Sequence, residues 1–189
     1  MKRIIIFASG SGSNAENIVR YFREKKSAEV IFIATNNPKA YVIERAQRLN
    51  VPVKLFNRNE FYDENDFLDF LQHGNPDVIV LAGFLWLVPG KYLKAFPNKI
   101  INIHPALLPK YGGNGMYGDR VHEEVKKSGD AESGITIHLL NEKFDEGKIL
   151  FQAKCNIDSS DTPEMIAQKV HSLEYEYYPK EIERFLKKN

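Results

Sequence analysis

The feature that most constrains the fold is an apolar segment near the start of the chain, RIIIFA (3–8), with the glycine-rich segment that follows it. A continuous apolar run of this length, rich in β-branched residues, is typical of a strand buried on both faces of a parallel sheet. Gly10, Gly12 and Ala15 then fit a G-x-G-x-x-A pattern, which occurs where such a strand turns tightly into a helix. The pattern predicts a strand, a turn and a helix that pack as one α/β unit.

The same alternation of strand and helix continues over roughly the first hundred residues. Further strands are predicted in VIFIATNN (30–37), VPVKLF (51–56), PDVIVLAG (76–83) and KIINIH (99–104). Further helices are predicted in AYVIERAQRL (40–49), ENDFLDFLQH (64–73) and PGKYLKAF (89–96). We therefore expect an α/β fold with a Rossmann-like, doubly wound and mainly parallel sheet.

The second part of the chain has a different character. A long glycine-rich loop (106–119) precedes a predicted helix (119–129), and two strands, GITIHLL (134–140) and KILFQAKCNI (148–157), surround a turn at NEKFDEGK (141–148). A long amphipathic helix (162–188), which Pro179 could kink, ends the chain. We expect one domain over 1–189, in which this strand pair and helix complete the sheet begun by 1–100.

Composition excludes several classes of function. The formal net charge is +1, from 26 basic and 25 acidic residues, which gives no sign of nucleic-acid or membrane binding. Because the chain has a single cysteine, Cys155, no internal disulfide can form, and we expect this cysteine to be buried and inert. The apolar run at the N-terminus is too short for a signal peptide, so we expect a cytoplasmic protein.

The glycine loop allows three interpretations. The N-terminus of the following helix could bind a small anion such as a monophosphate, since its free N–H groups and dipole attract negative charge. A dinucleotide would need an acidic residue after the second strand, where Asn36 and Asn37 stand instead. The loop could also be a structural turn alone, and the spacing of Ser13 and Glu16 predicts a capping box at the helix start.

Asn102 and His104 in INIHPALLPKY are the strongest candidates for chemistry. They share one face of a strand at its carboxyl end, and Pro105 ends that strand. An Asn donor beside a His suits acyl transfer, although a satisfied, partly buried histidine is the simpler alternative. Asp145 could orient His104 or merely form a turn.

Three other features of the sequence allow more than one interpretation. A metal site from His104, His138 and Asp145 is conceivable, but their spacing carries no metal-ligand signature, and neither G-x-S-x-G nor H-E-x-x-H occurs. AGFLWLVP (82–89) is either core or the wall of a pocket for a flat, mostly apolar ligand. Glu174 is either a surface charge or a group that faces a substrate cation.

Five motifs occur in order along the chain: ASGSGSN, VLAGF, NIHPALLPKY, FDEGKILFQ and LEYEYYP. Together they resemble the phosphoribosylglycinamide formyltransferases, a family of folate-dependent enzymes of purine synthesis. The resemblance implies transfer of the formyl group of 10-formyltetrahydrofolate to the amine of glycinamide ribonucleotide, which gives formylglycinamide ribonucleotide and tetrahydrofolate. It implies small-molecule partners, a monomer or homodimer, and no requirement for a metal.

The resemblance also implies roles for particular residues. Asn102, His104 and Asp145 match the catalytic trio, with the oxyanion stabilised by Asn102 and a protonated His104. The nucleotide would be bound by Gly12, Ser13 and Asn14 at its phosphate and by Glu174 at its glycinamide part. The folate would be bound by Leu85, Trp86, Leu87, Val88, Asn102 and Asn141.

Related activities are weaker alternatives. A methionyl-tRNA formyltransferase would need a large additional domain, and a formyltetrahydrofolate deformylase usually carries an N-terminal regulatory domain. A sugar-nucleotide N-formyltransferase uses the same donor and chemistry but would need a site for a base. From another class, the chain could bind a phosphorylated ligand without turnover.

Overall fold

A computed structural model of the chain describes residues 1–142 and 145–188. The predicted turn at 141–148 therefore lies partly outside the described residues. In chain order the elements are β1 (Lys2–Phe7), α1 (Ser13–Lys25), β2 (Ala28–Thr35), α2 (Val42–Arg48), β3 (Val53–Leu55), α3 (Arg58–Tyr62), α4 (Asp66–His73), β4 (Val78–Leu81), α5 (Gly90–Ala95), β5 (Ile100–His104), α6 (Asp119–Ser128), β6 (Glu132–Leu139), β7 (Ile149–Asn156) and α7 (Pro163–Lys188).

The strands form a seven-stranded sheet in the order β3-β2-β1-β4-β5-β6-β7. The five strands from β3 to β5 are parallel, whereas β6 and β7 run antiparallel to their neighbours. The prediction of a doubly wound, mainly parallel sheet completed by a strand pair is confirmed. Because the chain order reverses at β1, the carboxyl ends of β1 and β4 form the crevice in which such sheets bind ligands.

Each face of the sheet has its own apolar core. Alternate residues of β1 point to opposite faces, so that Ile4 and Ile6 join one core and Ile5 and Phe7 the other. The first core packs against α1, α2, α6 and α7. The second is rich in aromatic side chains from α3, α4 and α5, and Phe56 and Phe67 are stacked with ring centroids 4.3 Å apart.

Two local predictions differ from the structure. No side-chain capping bond is formed at the start of α1, where Gly12 is the N-cap residue. Glu16 instead pairs with Arg20 on its own helix and with Arg45 of α2, because the carboxylate gains two cations across the helix pair. A capping box does occur at α3, a short helix that the sequence pattern did not indicate.

The long helix α7 continues without a break through Pro179. Beside this proline, the fully buried Tyr178 donates a hydrogen bond to the carbonyl oxygen of Leu81 (2.8 Å). A second contact joins its hydroxyl to the carbonyl oxygen of Ile101 (3.3 Å). These bonds attach α7 to β4 and β5. None of the helices in the described residues, α7 included, is both long and apolar enough to cross a membrane.

Candidate active site

A cavity of about 590 Å³ opens at the carboxyl ends of β1, β4 and β5. The predicted site residues, which come from distant parts of the sequence, all line it: Gly12, Ser13, Asn14, Leu85, Trp86, Leu87, Val88, Asn102, His104, Asn141, Asp145 and Glu174. The loop before α6 and the inner face of α7 complete the lining. The fold thus brings every predicted site residue to one cavity.

Gly12 is a glycine for two structural reasons. Its φ of +73° lies in the left-handed region, which L side chains rarely adopt. A Cβ at this position would also lie 2.3 Å from Cγ2 of Val42. The turn therefore allows α2 to pack closely against it, and the start of α1 lies in the lining of the cavity.

Four side chains join the start of α1 to α7, and we call them the α1–α7 cluster: Ser13, Asn14, His171 and Glu174. Asn14 Nδ2 donates to Glu174 Oε2 (2.9 Å), and His171 Nδ1 lies 2.8 Å from the same oxygen. His171 Nε2 lies 3.4 Å from Ser13 Oγ. The cluster places hydrogen-bonding groups and a helix N-terminus side by side, which suits a phosphate next to a polar ligand group.

A second group of side chains lies on the edge of β5 and β6, and we call it the strand cluster: Asn102, His104, His138 and Asp145. The antiparallel register sets Asn102 directly opposite His138, and Asn102 Nδ2 lies 3.1 Å from His138 Nε2. Asp145 contacts both histidines, with Oδ2 3.5 Å from His104 Nδ1 and Oδ1 3.6 Å from His138 Nε2. Its Oδ2 also accepts a hydrogen bond from the Gly113 N–H (3.1 Å).

Burial and hydrogen bonding compete in this cluster. Burial lowers the pKa of His104 and outweighs the opposing effects of the Asp145 carboxylate and of the Tyr111 carbonyl, which lies 2.6 Å from Nε2. Burial therefore opposes the protonated His104 that the resemblance implies, whereas Asp145 and the Tyr111 carbonyl favour it. Burial raises the pKa of Asp145. Its interactions with His138, with the nearby His104 and with the Gly113 N–H together outweigh burial and hold this pKa below its usual value.

The predicted folate segment forms an apolar wall of the cavity. Leu85 and Leu87 are 54% and 38% exposed, whereas Val88 is buried in the second core. Trp86 packs on the aromatic side chains beneath, with its ring centroid 5.8 Å from that of Phe61. The hydroxyl of Tyr62 donates to the carbonyl oxygen of Leu87 (3.0 Å) and attaches this wall to α3.

Two residues of the clusters were not predicted in these positions. The sequence indicated His138 only as a metal ligand, yet its side chain contacts the Asn102 amide. The segments INIH (101–104) and ITIH (135–138) share the same alternation of apolar and polar residues. This shared alternation was the signal that could have identified His138. His171 carried no signal, because its contact with Ser13 depends on how α7 packs.

Among the described residues, no group of three His, Cys, Asp or Glu side chains could hold a metal ion. Cys155 is half-buried on β7, outside the lining of the cavity.

The class of protein that this fold and cavity define is the formyl transferase family. The chain belongs to this family, since the family's sequence model matches residues 2–182. It is 37% identical over 183 residues to the chloroplastic phosphoribosylglycinamide formyltransferase of Arabidopsis thaliana, covering 94% of this chain and 63% of that protein. It is 36% identical over 191 residues to the phosphoribosylglycinamide formyltransferase of Bacillus subtilis, covering 98% and 95%.

A solved structure agrees with these relatives. Glycinamide ribonucleotide transformylase 1 from Symbiobacterium toebii superposes on this chain with a TM-score of 0.90 at 32% sequence identity, covering 99% of this chain and 88% of the other. The chain thus spans less than two thirds of the plant relative's length but nearly all of the bacterial relative.

Proposed function

We propose that this chain transfers the formyl group of 10-formyltetrahydrofolate to the amine of glycinamide ribonucleotide in purine synthesis. One observation carries the proposal: Asn102, His104 and Asp145 meet in a cavity that also receives the N-terminus of α1 with Ser13 and Asn14. An amide donor and a histidine–carboxylate pair suit acyl transfer, and a helix start suits a phosphate. The relatives' names support the same reaction.

In this mechanism the neutral amine attacks the formyl carbon, and negative charge develops on the formyl oxygen. The Asn102 amide lies 3.1 Å from His138 Nε2 and lines the cavity, so it can donate to that oxygen. A His104 imidazolium stabilises the same oxygen, and Asp145 with a water molecule moves the proton that the amine loses to the departing folate nitrogen. Asp145 and the Tyr111 carbonyl are two acceptors that stabilise the imidazolium while it exists.

The other residues bind the two substrates. Gly12, Ser13 and Asn14 would hold the phosphate, and Glu174 the glycinamide part. Leu85 to Val88 would contact the flat folate ring, with Asn102 and Asn141 as polar partners. We further propose that residues 1–189 act as one formyltransferase domain, in the cytoplasm, on small-molecule substrates and without a metal.

Two measurements test this proposal. The first follows folate absorbance with and without glycinamide ribonucleotide, in the wild type and in His104→Ala. We expect loss of the formyl donor only when the nucleotide is present and only when His104 is intact. The second uses Trp86, the single tryptophan of the chain, whose fluorescence should change on titration with a dideaza analogue of the folate.

The outcomes separate the alternatives. Loss of formyl without the nucleotide would identify a deformylase. Transfer to formylatable amino sugars, and not to glycinamide ribonucleotide, would identify a sugar-nucleotide N-formyltransferase. No transfer to any acceptor, together with unchanged tryptophan fluorescence, would leave a protein that binds a phosphorylated ligand without turnover.

A further inference from the structure

A short backbone segment of the glycine-rich loop, residues 111–113, contacts both members of the His104–Asp145 pair. The carbonyl oxygen of Tyr111 lies 2.6 Å from His104 Nε2, and the N–H of Gly113 donates to Asp145 Oδ2 at 3.1 Å. The same carboxylate oxygen lies 3.5 Å from His104 Nδ1. Two backbone groups only two residues apart therefore set the positions of the histidine and of the carboxylate.

The contact with a carbonyl oxygen determines which nitrogen of His104 titrates. Because a carbonyl oxygen can only accept a hydrogen bond, Nε2 carries a proton whether the ring is neutral or charged. The nitrogen that gains and loses a proton is therefore Nδ1, which faces Asp145. Any displacement of the Tyr111 carbonyl would release this constraint on the ring.

Glycine at position 112 allows the segment to pass close to the pair. A Cβ at Gly112 would lie 2.5 Å from Cδ2 of Leu108 and 3.0 Å from Cβ of Asp145. A larger residue would push the backbone away from Asp145 and lengthen the contacts made by the residues on either side. The backbone here is therefore fitted to the pair within tenths of an ångström.

The side chain of Tyr111 attaches this segment to the end of α6. Tyr111 is buried, and its hydroxyl donates to Asp130 Oδ2 at 2.5 Å and lies 2.5 Å from Ser128 Oγ. Lys110 Nζ lies 2.6 Å from each oxygen of the same carboxylate. The bonds from Lys110 and Tyr111 lower the pKa of Asp130, so the hydroxyl meets an ionised acceptor in a strong, charge-assisted bond. All four residues lie outside the lining of the cavity.

A separate set of bonds holds the chain that precedes this segment. Thr136 Oγ1 donates to the Ala106 carbonyl oxygen (2.7 Å) and accepts from the Leu108 N–H (3.0 Å). Gln152 Nε2 donates to the Leu108 carbonyl oxygen (3.0 Å). These bonds attach residues 106–108 to β6 and β7 and end three residues before Tyr111. The tyrosine hydroxyl is thus a distinct anchor for the part of the loop that contacts the pair.

We propose that Tyr111 is a positioning residue for formyl transfer: its hydroxyl, bonded to Asp130, holds its carbonyl oxygen and the Gly113 N–H against the His104–Asp145 pair. The inference rests on the proposed function, in which this pair takes part in the chemistry. Because Tyr111 does not line the cavity, it acts through the pair and not on a substrate. Loss of its hydroxyl should therefore change turnover and not binding.

The first test is Tyr111→Phe, which keeps the buried ring and removes the hydroxyl. We expect kcat to fall about tenfold, the ratio that one hydrogen bond is worth, with KM for both substrates unchanged. Tyr92→Phe is the matched control, since it removes another buried hydroxyl, which donates to the Phe61 carbonyl oxygen outside the cavity lining. Its kcat should equal that of the wild type. An unchanged kcat in Tyr111→Phe, or an equal fall in Tyr92→Phe, would overturn the inference.

The partner of the hydroxyl provides a second test. Asp130→Asn keeps an oxygen that can accept from Tyr111, whereas Asp130→Ala does not. We expect Asp130→Ala to lower kcat toward the value in Tyr111→Phe and Asp130→Asn to retain most of the activity. Because both substitutions remove the same bond, the double variant Tyr111→Phe/Asp130→Ala should be no slower than Tyr111→Phe alone. Losses of kcat that multiply in the double variant would contradict the proposal.

A spectrum of the ligand-free protein tests the contact without any substrate. The chain has five histidines, so NMR of ¹⁵N-histidine-labelled protein can follow the Nε2 proton of His104, with His104→Ala to identify its signal. Because this proton is buried and bonded to the Tyr111 carbonyl, it should exchange slowly in the wild type and in Tyr92→Phe. In Tyr111→Phe it should exchange faster with water. Equal protection in Tyr111→Phe would overturn the inference.

The two proposals fail in different ways. If the wild type transfers no formyl group to glycinamide ribonucleotide, the proposed function fails. If the wild type is active and Tyr111→Phe matches it in kcat and in the exchange of the His104 proton, only the role of Tyr111 fails.

Discussion

The two polar clusters of the cavity are built differently. The strand cluster lies on neighbouring strands, and His104 and His138 are only 3% and 2% exposed. The α1–α7 cluster bridges two helices, and although Asn14 and Glu174 are buried, the His171 side chain is 40% exposed. Burial strengthens electrostatic effects and restricts motion, which suits groups that act on a reacting bond. The more exposed helical cluster suits binding, so we expect substitutions in the two clusters to affect different kinetic constants.

The largest expected effect is on turnover, from truncation in the strand cluster. Replacing Asn102 or His104 by alanine should lower kcat by about 10²–10³, the usual cost of removing one group that stabilises the developing charge. KM for the nucleotide should change little. Steady-state kinetics, with circular dichroism to verify folding, provide the measurement. A kcat close to that of the wild type in either variant would contradict the assignment of chemistry to this cluster.

The backbone at the start of the α1–α7 cluster should be the next most sensitive feature. Gly12→Ala should destabilise the protein by about 3 kcal/mol, since it combines a left-handed backbone conformation with overpacking against Val42. Gly10→Ala is the matched control, because a Cβ there would meet no described atom within 4 Å. Urea denaturation of both variants measures the difference, and equal losses of stability would refute this account of the turn.

Within the α1–α7 cluster, removing a charge should weaken binding more than it slows chemistry. Glu174→Gln keeps the size of the side chain but replaces the carboxylate that accepts from Asn14. We expect KM for glycinamide ribonucleotide to rise roughly tenfold, as for one charge-assisted hydrogen bond. Glu176→Gln, two residues along the same helix and paired with the exposed Lys180, should leave KM unchanged. A fall in kcat without a change in KM would instead assign Glu174 to the chemistry.

The smallest expected effect is a pH dependence of stability that arises in the strand cluster. The folded-state pKa of His104 lies below its ordinary value of 6.5, so on acidification the unfolded chain binds a proton first. Stability is therefore complete above about pH 6.5 and is lost as pH falls toward the folded-state pKa. Thermal unfolding between pH 8 and pH 5 should give a falling Tm, and His104→Gln should make the fall shallower. An identical pH profile in the variant would show that His104 is not responsible.

Much of the site was predictable because its residues carry local signals. The buried strands β1, β4 and β5 are marked by apolar runs and end in glycine, proline or polar residues. Asn102 and His104 share a strand face by the two-residue period alone. Gly10 and Gly12 follow the first strand directly, and this placed the glycine loop beyond the carboxyl end of a strand, where such sheets bind ligands.

Local patterns failed where a distant segment competed for the same group. Ser13 and Glu16 have the spacing of a capping box, but Glu16 pairs with Arg45 of a neighbouring helix instead. His138 reaches Asn102 only because β6 runs antiparallel to β5 in one particular register. That register depends on contacts between segments far apart in sequence, and no short-range pattern records them.

The sequence by itself determined the order of strands and helices, the glycine turn and the face that carries Asn102 and His104, because each depends on neighbouring residues. Only the tertiary structure decided which side chains meet. The packing of α7 against α1 brings His171 and Glu174 to Ser13 and Asn14, and the position of α6 brings Ser128 to the Tyr111 hydroxyl. These contacts depend on how buried surfaces fit together across the whole fold, and that fit is a property of the complete chain.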